Sequence, residues 1–295
     1  MMNKEVLDKY VEAGRICSEV KKRVLKIIKP GMKILDLAEL IEKEIEKLGG
    51  KPAFPPNISI NDIAAHYTPS FGDERIINTD DLVKIDIGVH IDSYIGDMAF
   101  TYCSKSNKLI RCAEEALKAG IDVIKPGVRL SEISKAIHDK IIESGFGVIV
   151  NLTGHTLDRY VFHGSPSIPN IETESRHIFK EGDVIALEPF VAEDNGYVKD
   201  SSPIEIYRYL QDKPVRLLEA RKILDMAKNQ FSSLPFAKRW LYKYFSHVKI
   251  SLALKQLESV GAVETYPVLK EINGRKIAQA EHTIIVDKEP IITTL

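Results

Sequence analysis

The chain has 295 residues, with 41 Lys+Arg against 42 Asp+Glu, a formal charge of −1, and 44% hydrophobic and 28% charged residues. That balance excludes an overall basic nucleic-acid binder and a disordered chain. Cys17, Cys103 and Cys112 are too few for a disulfide framework. With no long apolar run and no signal-peptide core, this predicts a soluble cytoplasmic protein without a membrane span.

In chain order, a helical pattern over about residues 5–28 leads to Lys29-Pro30-Gly31-Met32-Lys33-Ile34. A second helical pattern follows through Leu37, Ile41, Ile45 and Leu48 and stops at Gly49. The same device returns 96 residues later. After a helical stretch over about 108–124, Lys125-Pro126-Gly127-Val128-Arg129-Leu130 opens a run through Ile133, Ile137 and Ile141 to Gly145. A second echo comes at a shift of 102, where Asp81-Leu82-Val83-Lys84-Ile85-Asp86 matches Asp183-Val184-Ile185-Ala186-Leu187-Glu188. Each reads as a short buried strand ending in a carboxylate. Two echoes in one order predict an α+β domain with pseudo-twofold symmetry, its sheets covered by helices on one face and open to a cleft on the other.

Residues 205–265 have no counterpart in the first half and read as an inserted helical subdomain. The symmetric domain is then 1–204 with 266–295. The insertion carries 11 Lys+Arg against 6 Asp+Glu, so the basic charge concentrates there.

Asp86 and Asp97 flank a hairpin candidate turning at Ile91-Asp92. Paired over 83–90 and 93–101, that hairpin sets the two acids opposite one another, where like charges destabilise a sheet unless a cation intervenes. A slipped register would instead leave both acids in solvent. The repeat equates Glu188 with Asp86, so a mate for Asp97 is expected on a later strand, and Glu281 is the candidate. Asp86 and Asp97 are 11 residues apart, whereas Glu188 and Glu281 are 93 apart. The difference accommodates the insertion. His155, after Gly154, and His163 add imidazoles with apolar neighbours, and His66 stands in Ala64-Ala65-His66-Tyr67-Thr68-Pro69. Two divalent ions would balance four carboxylates, whose burial without metal would be severely unfavourable. On its strand, the His282 side chain should face away from Glu281.

The order Asp86, Asp97, His155, Glu188, Glu281 resembles the pita-bread metallopeptidases, and within them the type II methionine aminopeptidases in a compact archaeal-like form. The resemblance is carried by Lys51-Pro52-Ala53-Phe54-Pro55, Ala64 through Pro69, Lys84 through Ile91, Gly154-His155 through His163-Gly164, Glu188-Pro189-Phe190 and Glu281-His282-Thr283. It implies a pita-bread fold with a winged-helix-like insertion, and removal of the initiator methionine from nascent polypeptides by hydroxide activated on a dinuclear metal centre, before a small second residue. It implies that Asp86 chelates one ion, that Asp97 and Glu281 bridge two, and that His155 and Glu188 complete the other site. His163 would contact the scissile amide, His66 the S1′ side, and Glu188 would carry a proton. Phe54, Leu152, Phe162, Phe190, Tyr266 and Leu269 match the methionine pocket. Two departures, Ala280 before Glu281 and Phe162 in place of a smaller aliphatic residue, would reshape that pocket. Cobalt, manganese or iron suit the ligands, with zinc compatible. A monomer is implied, and the basic insertion offers a contact to ribosomal RNA. The alternatives are a proline-directed peptidase of the same fold, such as a prolidase or aminopeptidase P, and a binding protein that has lost its metals.

Overall fold

The computed structural model describes residues 2–295. The first half comprises α1 (Lys4–Ile27), α2 (Ile34–Lys47), β1 (Lys51–Pro52), β2 (Asn57–Ile60), β3 (Ile63–Ala65), β4 (Val83–Ile91) and β5 (Tyr94–Tyr102). The second half repeats the plan with α3 (Lys108–Asp122), α4 (Leu130–Glu143), β6 (Gly147–Val148), β7 (Thr153–Asp158), β8 (Val161–Pro169), β9 (Val184–Leu187) and β10 (Phe190–Ala192). Then come β11 (Val198–Tyr209), α5 (Leu218–Met226), β12 (Phe236–Ala237), α6 (His247–Ser259) and β13 (Val263–Glu271). The chain returns to the body through β14 (Ile277–Gln279), β15 (His282–Ile285) and β16 (Ile291–Ile292).

The Lys-Pro-Gly echo does the same work twice. Proline presets the turn and the glycine takes a left-handed φ, +87° at Gly31 and +93° at Gly127, which side chains resist. The Gly31 amide then donates to Ile77 O and the Gly127 amide to Phe179 O, while Ile34 and Leu130 donate to Arg75 O and His177 O. Those acceptors stand 102 residues apart, so the second echo begins before the strands themselves. Each half closes its own core. Ile16, Val20, Ile41, Ile85 and Ile87 pack in one, and Leu117, Ile133, Ile137, Ile185 and Leu187 in the other. Burial of each such side chain contributes on the order of 1.5–3 kcal/mol, which holds the helices to the back of the sheets and leaves the front for the cleft.

The two halves meet along β5 and the stretch carrying Gln279 through Thr283. The Glu281 amide donates to Ala99 O at 2.9 Å. On one side of that bond the Thr283 hydroxyl accepts from the Asp97 amide at 2.7 Å and donates to Asp97 O at 2.9 Å. On the other side, the Thr101 hydroxyl accepts from the Gln279 amide and donates to Gln279 O. Asp97 faces Thr283 and Ala99 faces Glu281 in an antiparallel seam, so Asp97 and Glu281 are mates across the pseudo-twofold axis. Thr101 and Thr283 stand in for ladder bonds that the separated backbones do not make directly.

The β4–β5 hairpin corrects the expected register. Its turn is Asp92-Ser93, both with positive φ (48° and 70°), because Asp and Ser tolerate the left-handed conformation that the β-branched Ile91 resists. Gly88 therefore pairs with Asp97, and Asp86 with Ala99. The slip is even, so both acids keep the same face and are diagonal neighbours rather than opposed. In the second half, Leu187 pairs with His282 and Phe190 with Gln279, a register that sets Glu188 against Glu281.

Residues 205 and 265 fall inside β11 and β13, which pair from Val198/Glu271 to Tyr209/Val263. The boundary expected from the helical character of this stretch thus falls within a hairpin that continues to Tyr209 and Val263. Beyond it, Ile223, Leu224, Leu241, Ile250 and Leu257 form a separate apolar cluster. Arg239, 6% exposed, ties that region to the body, with its guanidinium on Glu42 of α2 and on Thr68 Oγ1 at 2.5 Å. Trp240 Nε1 donates to the same Glu42 carboxylate at 2.8 Å.

Candidate metal centre

A cleft of about 290 Å³ opens on the front of the sheets, and every residue singled out for site chemistry lines it. Asp86 comes from β4, Asp97 from β5, His155 from β7, and Glu188 and Glu281 from the ends of β9 and β15. Asp97, His155 and Glu281 present ligand atoms within 4.8 Å of one another. His155 Nε2 lies 3.8 Å from Asp97 Oδ2 and 3.6 Å from Glu188 Oε1. Asp97 and Glu281 are each 2% exposed.

Burial dominates the electrostatics. It pushes the Asp86 carboxyl up to about 7 and those of Asp97, Glu188 and Glu281 well above the usual carboxylate range, with the neighbouring acids adding repulsion at the last three. It also pushes His155 down to about 4, so this imidazole is neutral at neutral pH. The His155 Nδ1 faces Thr156 O at 3.3 Å. A carbonyl only accepts, so Nδ1 carries the proton and Nε2 turns its lone pair toward two carboxylates. Buried Asp86 Oδ1 and Asp97 Oδ1 have no hydrogen-bond partner among the described residues. Lone pairs facing lone pairs, with no nitrogen donor between them, fit divalent cations.

At the mouth, the His66 and His163 rings lie 6.4 Å apart, and His163 sits 4.7 Å from His155. His66 Nδ1 donates to Pro267 O of β13 at 3.2 Å, which leaves Nε2 for the cleft. Tyr266 packs 5.5 Å from His66 and 5.9 Å from His163. One apolar wall is Phe54 against Phe162, centroids 4.6 Å apart. A Cβ at Gly88 would come within 2.1 Å of the Phe54 ring, so this wall depends on glycine opposite Asp97. The other wall gathers Ala65, Leu152 and Phe190 with Leu269 against them. His282 turns away, its Nδ1 2.7 Å from Thr294 Oγ1.

Sequence reasoning missed Asn57, Asn151, Thr153, Ser167, Ile206 and Pro235, which also line the cleft. It also missed Gln279, whose amide donates to Glu188 Oε2 at 3.2 Å. Gln279 had a signal, standing two residues before Glu281 with its side chain on the same face; Asn57 had none until β2 was seen to pair with β4.

With this geometry in place, comparison with known proteins gives its class. The model of metallopeptidase family M24 matches residues 8–234, and the chain belongs to that family. Among its relatives, the methionine aminopeptidase of Thermococcus onnurineus is 48% identical over 282 residues, covering 95% of this chain and 96% of that one. The methionine aminopeptidase of Pyrococcus horikoshii is 46% identical over 291 residues, covering 98% and 99%. The crystal structure of methionine aminopeptidase from Rickettsia prowazekii shares the fold, with a TM-score of 0.72 at 22% identity over 100% of this chain and 99% of that one. This fold is the pita-bread fold expected from the sequence.

Proposed function

We propose that this chain is an aminopeptidase that removes the N-terminal methionine from nascent polypeptides by metal-assisted hydrolysis of the first peptide bond. Relatives nearly half identical over almost the whole chain support that reaction. The observation that carries the site is the His155 Nε2 lone pair set 3.6–3.8 Å from the Glu188 and Asp97 carboxylates with no nitrogen donor between them.

In this reading Asp97 and Glu281, on the seam between the halves, would be shared by two ions, Asp86 would complete one site, and His155 with Glu188 would complete the other. Cobalt, manganese and iron fit one imidazole and four carboxylates, and zinc is compatible. Bound there, such ions supply a water of lowered pKa and polarise the scissile carbonyl. The chain's own groups do the rest. His163 donates to the carbonyl oxygen as charge develops on it. His66, anchored on Pro267, contacts the residue after the scissile bond. Glu188, at the edge of the centre, carries the proton toward the leaving amine. Phe54, Phe162, Leu152, Phe190, Tyr266 and Leu269 enclose the methionine side chain, and the small second residue follows from the family resemblance. Residues 205–265 act as an inserted subdomain, and the β11–β13 hairpin at its base lends Ile206, Tyr266 and Leu269 to the cleft. The enzyme works in the cytoplasm as a monomer; among the described residues no helix is long and apolar enough to cross a membrane.

Cleavage of Met-Ala-Ser by metal-loaded enzyme, with Xaa-Pro peptides untouched, is the expected outcome. The reverse preference would make it a proline-directed peptidase, and fewer than one divalent ion per chain at saturation would make it a metal-free binding protein. In the insertion, Arg208, Lys228, Lys238, Arg239 and Lys249 pair with carboxylates. Contact with ribosomal RNA falls to the remaining bases, such as Lys213, Arg216 and Lys222. Salt-sensitive co-sedimentation with ribosomes is expected, and its absence would remove this partner.

A further inference from the structure

We propose that Asn57 and Gln279 are positioning residues, each fixing one oxygen of a terminal carboxylate so that the other faces the metals, and that they set the affinities of the two metal sites separately. Asn57 Nδ2 donates to Asp86 Oδ2 at 3.1 Å, and Gln279 Nε2 donates to Glu188 Oε2 at 3.2 Å. A carboxylate only accepts, so the amide nitrogen must be the atom facing it in both cases. The oxygens left over are the ones aimed at the centre. Asp86 Oδ1 is buried without a partner among the described residues, and Glu188 Oε1 lies 3.6 Å from His155 Nε2. Both carboxamides are nearly inaccessible, Asn57 at 4% and Gln279 at 2% exposed, and both are neutral, so they orient an acid without adding charge to an already repulsive cluster.

The origin of the pair argues for a role beyond packing. Asp86 and Glu188 are repeat mates, but their clamps are not. Asn57 comes from β2, paired with β4 on the flank away from β5, where it lies opposite Asp86. Gln279 comes from the other flank, two residues before Glu281. The matching position before Asp97 is Ile95, which is apolar and fully buried. Duplication would have placed both clamps on the same flank. Two different strands instead deliver the same chemical group to the same kind of oxygen, one per terminal acid. Groups that orient a ligand in this way typically change metal affinity by about 10–100-fold when removed.

The test is a stepwise Mn2+ titration of chelator-treated full-length protein, with binding constants from calorimetry and pulsed EPR at each step. Nitrogen modulation from the His155 imidazole marks which step fills the imidazole site. Gln279→Leu is expected to weaken the nitrogen-coupled step by about 10–100-fold and spare the other, and Asn57→Leu is expected to do the reverse. A merely structural role would move both steps together. Equal weakening of both steps by either variant, or no change in either, overturns the inference. Circular dichroism checks folding, and Asn57→Ala and Gln279→Ala replace any leucine variant that does not fold. The inference rests on the dinuclear reading. Fewer than two Mn2+ on the unaltered chain would sink that reading too, whereas two normal steps indifferent to the variants would sink this inference alone.

Discussion

The two halves of the molecule place the same kind of acid pair by different routes. In the first, Asp86 and Asp97 ride one hairpin closed by Asp92-Ser93, and 11 residues separate them. In the second, Glu188 and Glu281 are 93 residues apart and meet because β9 and β15 pair after the chain has passed through the whole insertion. The halves also differ in what stands beside the acids. Ser59 lies opposite Lys84 in the first, and His155 lies opposite Ala186, the repeat mate of Lys84, in the second. So a duplicated scaffold carries an asymmetric centre, with an imidazole on one side and a structural lysine on the other. Symmetry supplied the frame, and the substitutions within it supplied two unlike sites.

The sharpest way to break this comparison is to remove an acid from the seam and one from a flank. Glu281→Ala is expected to lower turnover of Met-Ala-Ser at least about 1,000-fold, equivalent to about 4 kcal/mol, and to prevent retention of two ions. Asp86→Ala should leave one ion bound. Calorimetric metal counts on both variants check this; two ions retained by Glu281→Ala would show that it bridges nothing.

Next in size is the effect of stripping the metals. The four carboxyls have folded-state pKa values raised above those of the unfolded chain, so without metal they cost no stability below about pH 4 and progressively more as pH rises toward about 7. Buried His66, His90, His155 and His282, pushed down to about 4, act in the opposite sense over the same window, and Lys84, pushed down to about 7, loses its proton at the upper end. The carboxyls are read from the difference between metal-free and metal-loaded protein. The gain in melting temperature on adding metal is therefore expected to be larger at pH 7.5 than at pH 5, because the metal replaces protons on these carboxyls. Scanning calorimetry with and without metal at the two pH values decides it, and an equal gain at both would contradict the buried cluster.

A smaller effect tests the lysine that distinguishes the halves. Lys84 Nζ donates to Asn61 O at 2.9 Å and Ile277 O at 3.0 Å, joining the first half to β14. Lys84→Met leaves both carbonyls without that donor and should cost about 2–3 kcal/mol in urea unfolding. Smallest is Gly88→Ala, whose new methyl group must displace the Phe54 ring. It should cost about 1–3 kcal/mol and raise KM for methionyl peptides more than it lowers kcat. An unchanged KM would mean that Phe54 does not bound the pocket.

Much of this was legible along the chain. The Lys-Pro-Gly turns, the apolar runs ending in Asp86 and Glu188, and the long gap before Glu281 are local patterns, and local sterics and burial enforce them wherever the chain goes. Those patterns gave the symmetric plan and pointed to Asp86, Glu188 and Glu281, while Asp97 came from the hairpin beside Asp86 and His155 stood out only by Gly154 and its apolar neighbours. Tertiary structure alone decided the even slip that makes Asp86 and Asp97 diagonal, the threonine-bridged seam between Asp97 and Glu281, and the arrival of Asn57 and Gln279 at the outer oxygens. Each of these depends on which strands become neighbours and in what register, and that is settled by the packing of two cores against each other, a condition no single stretch of residues contains.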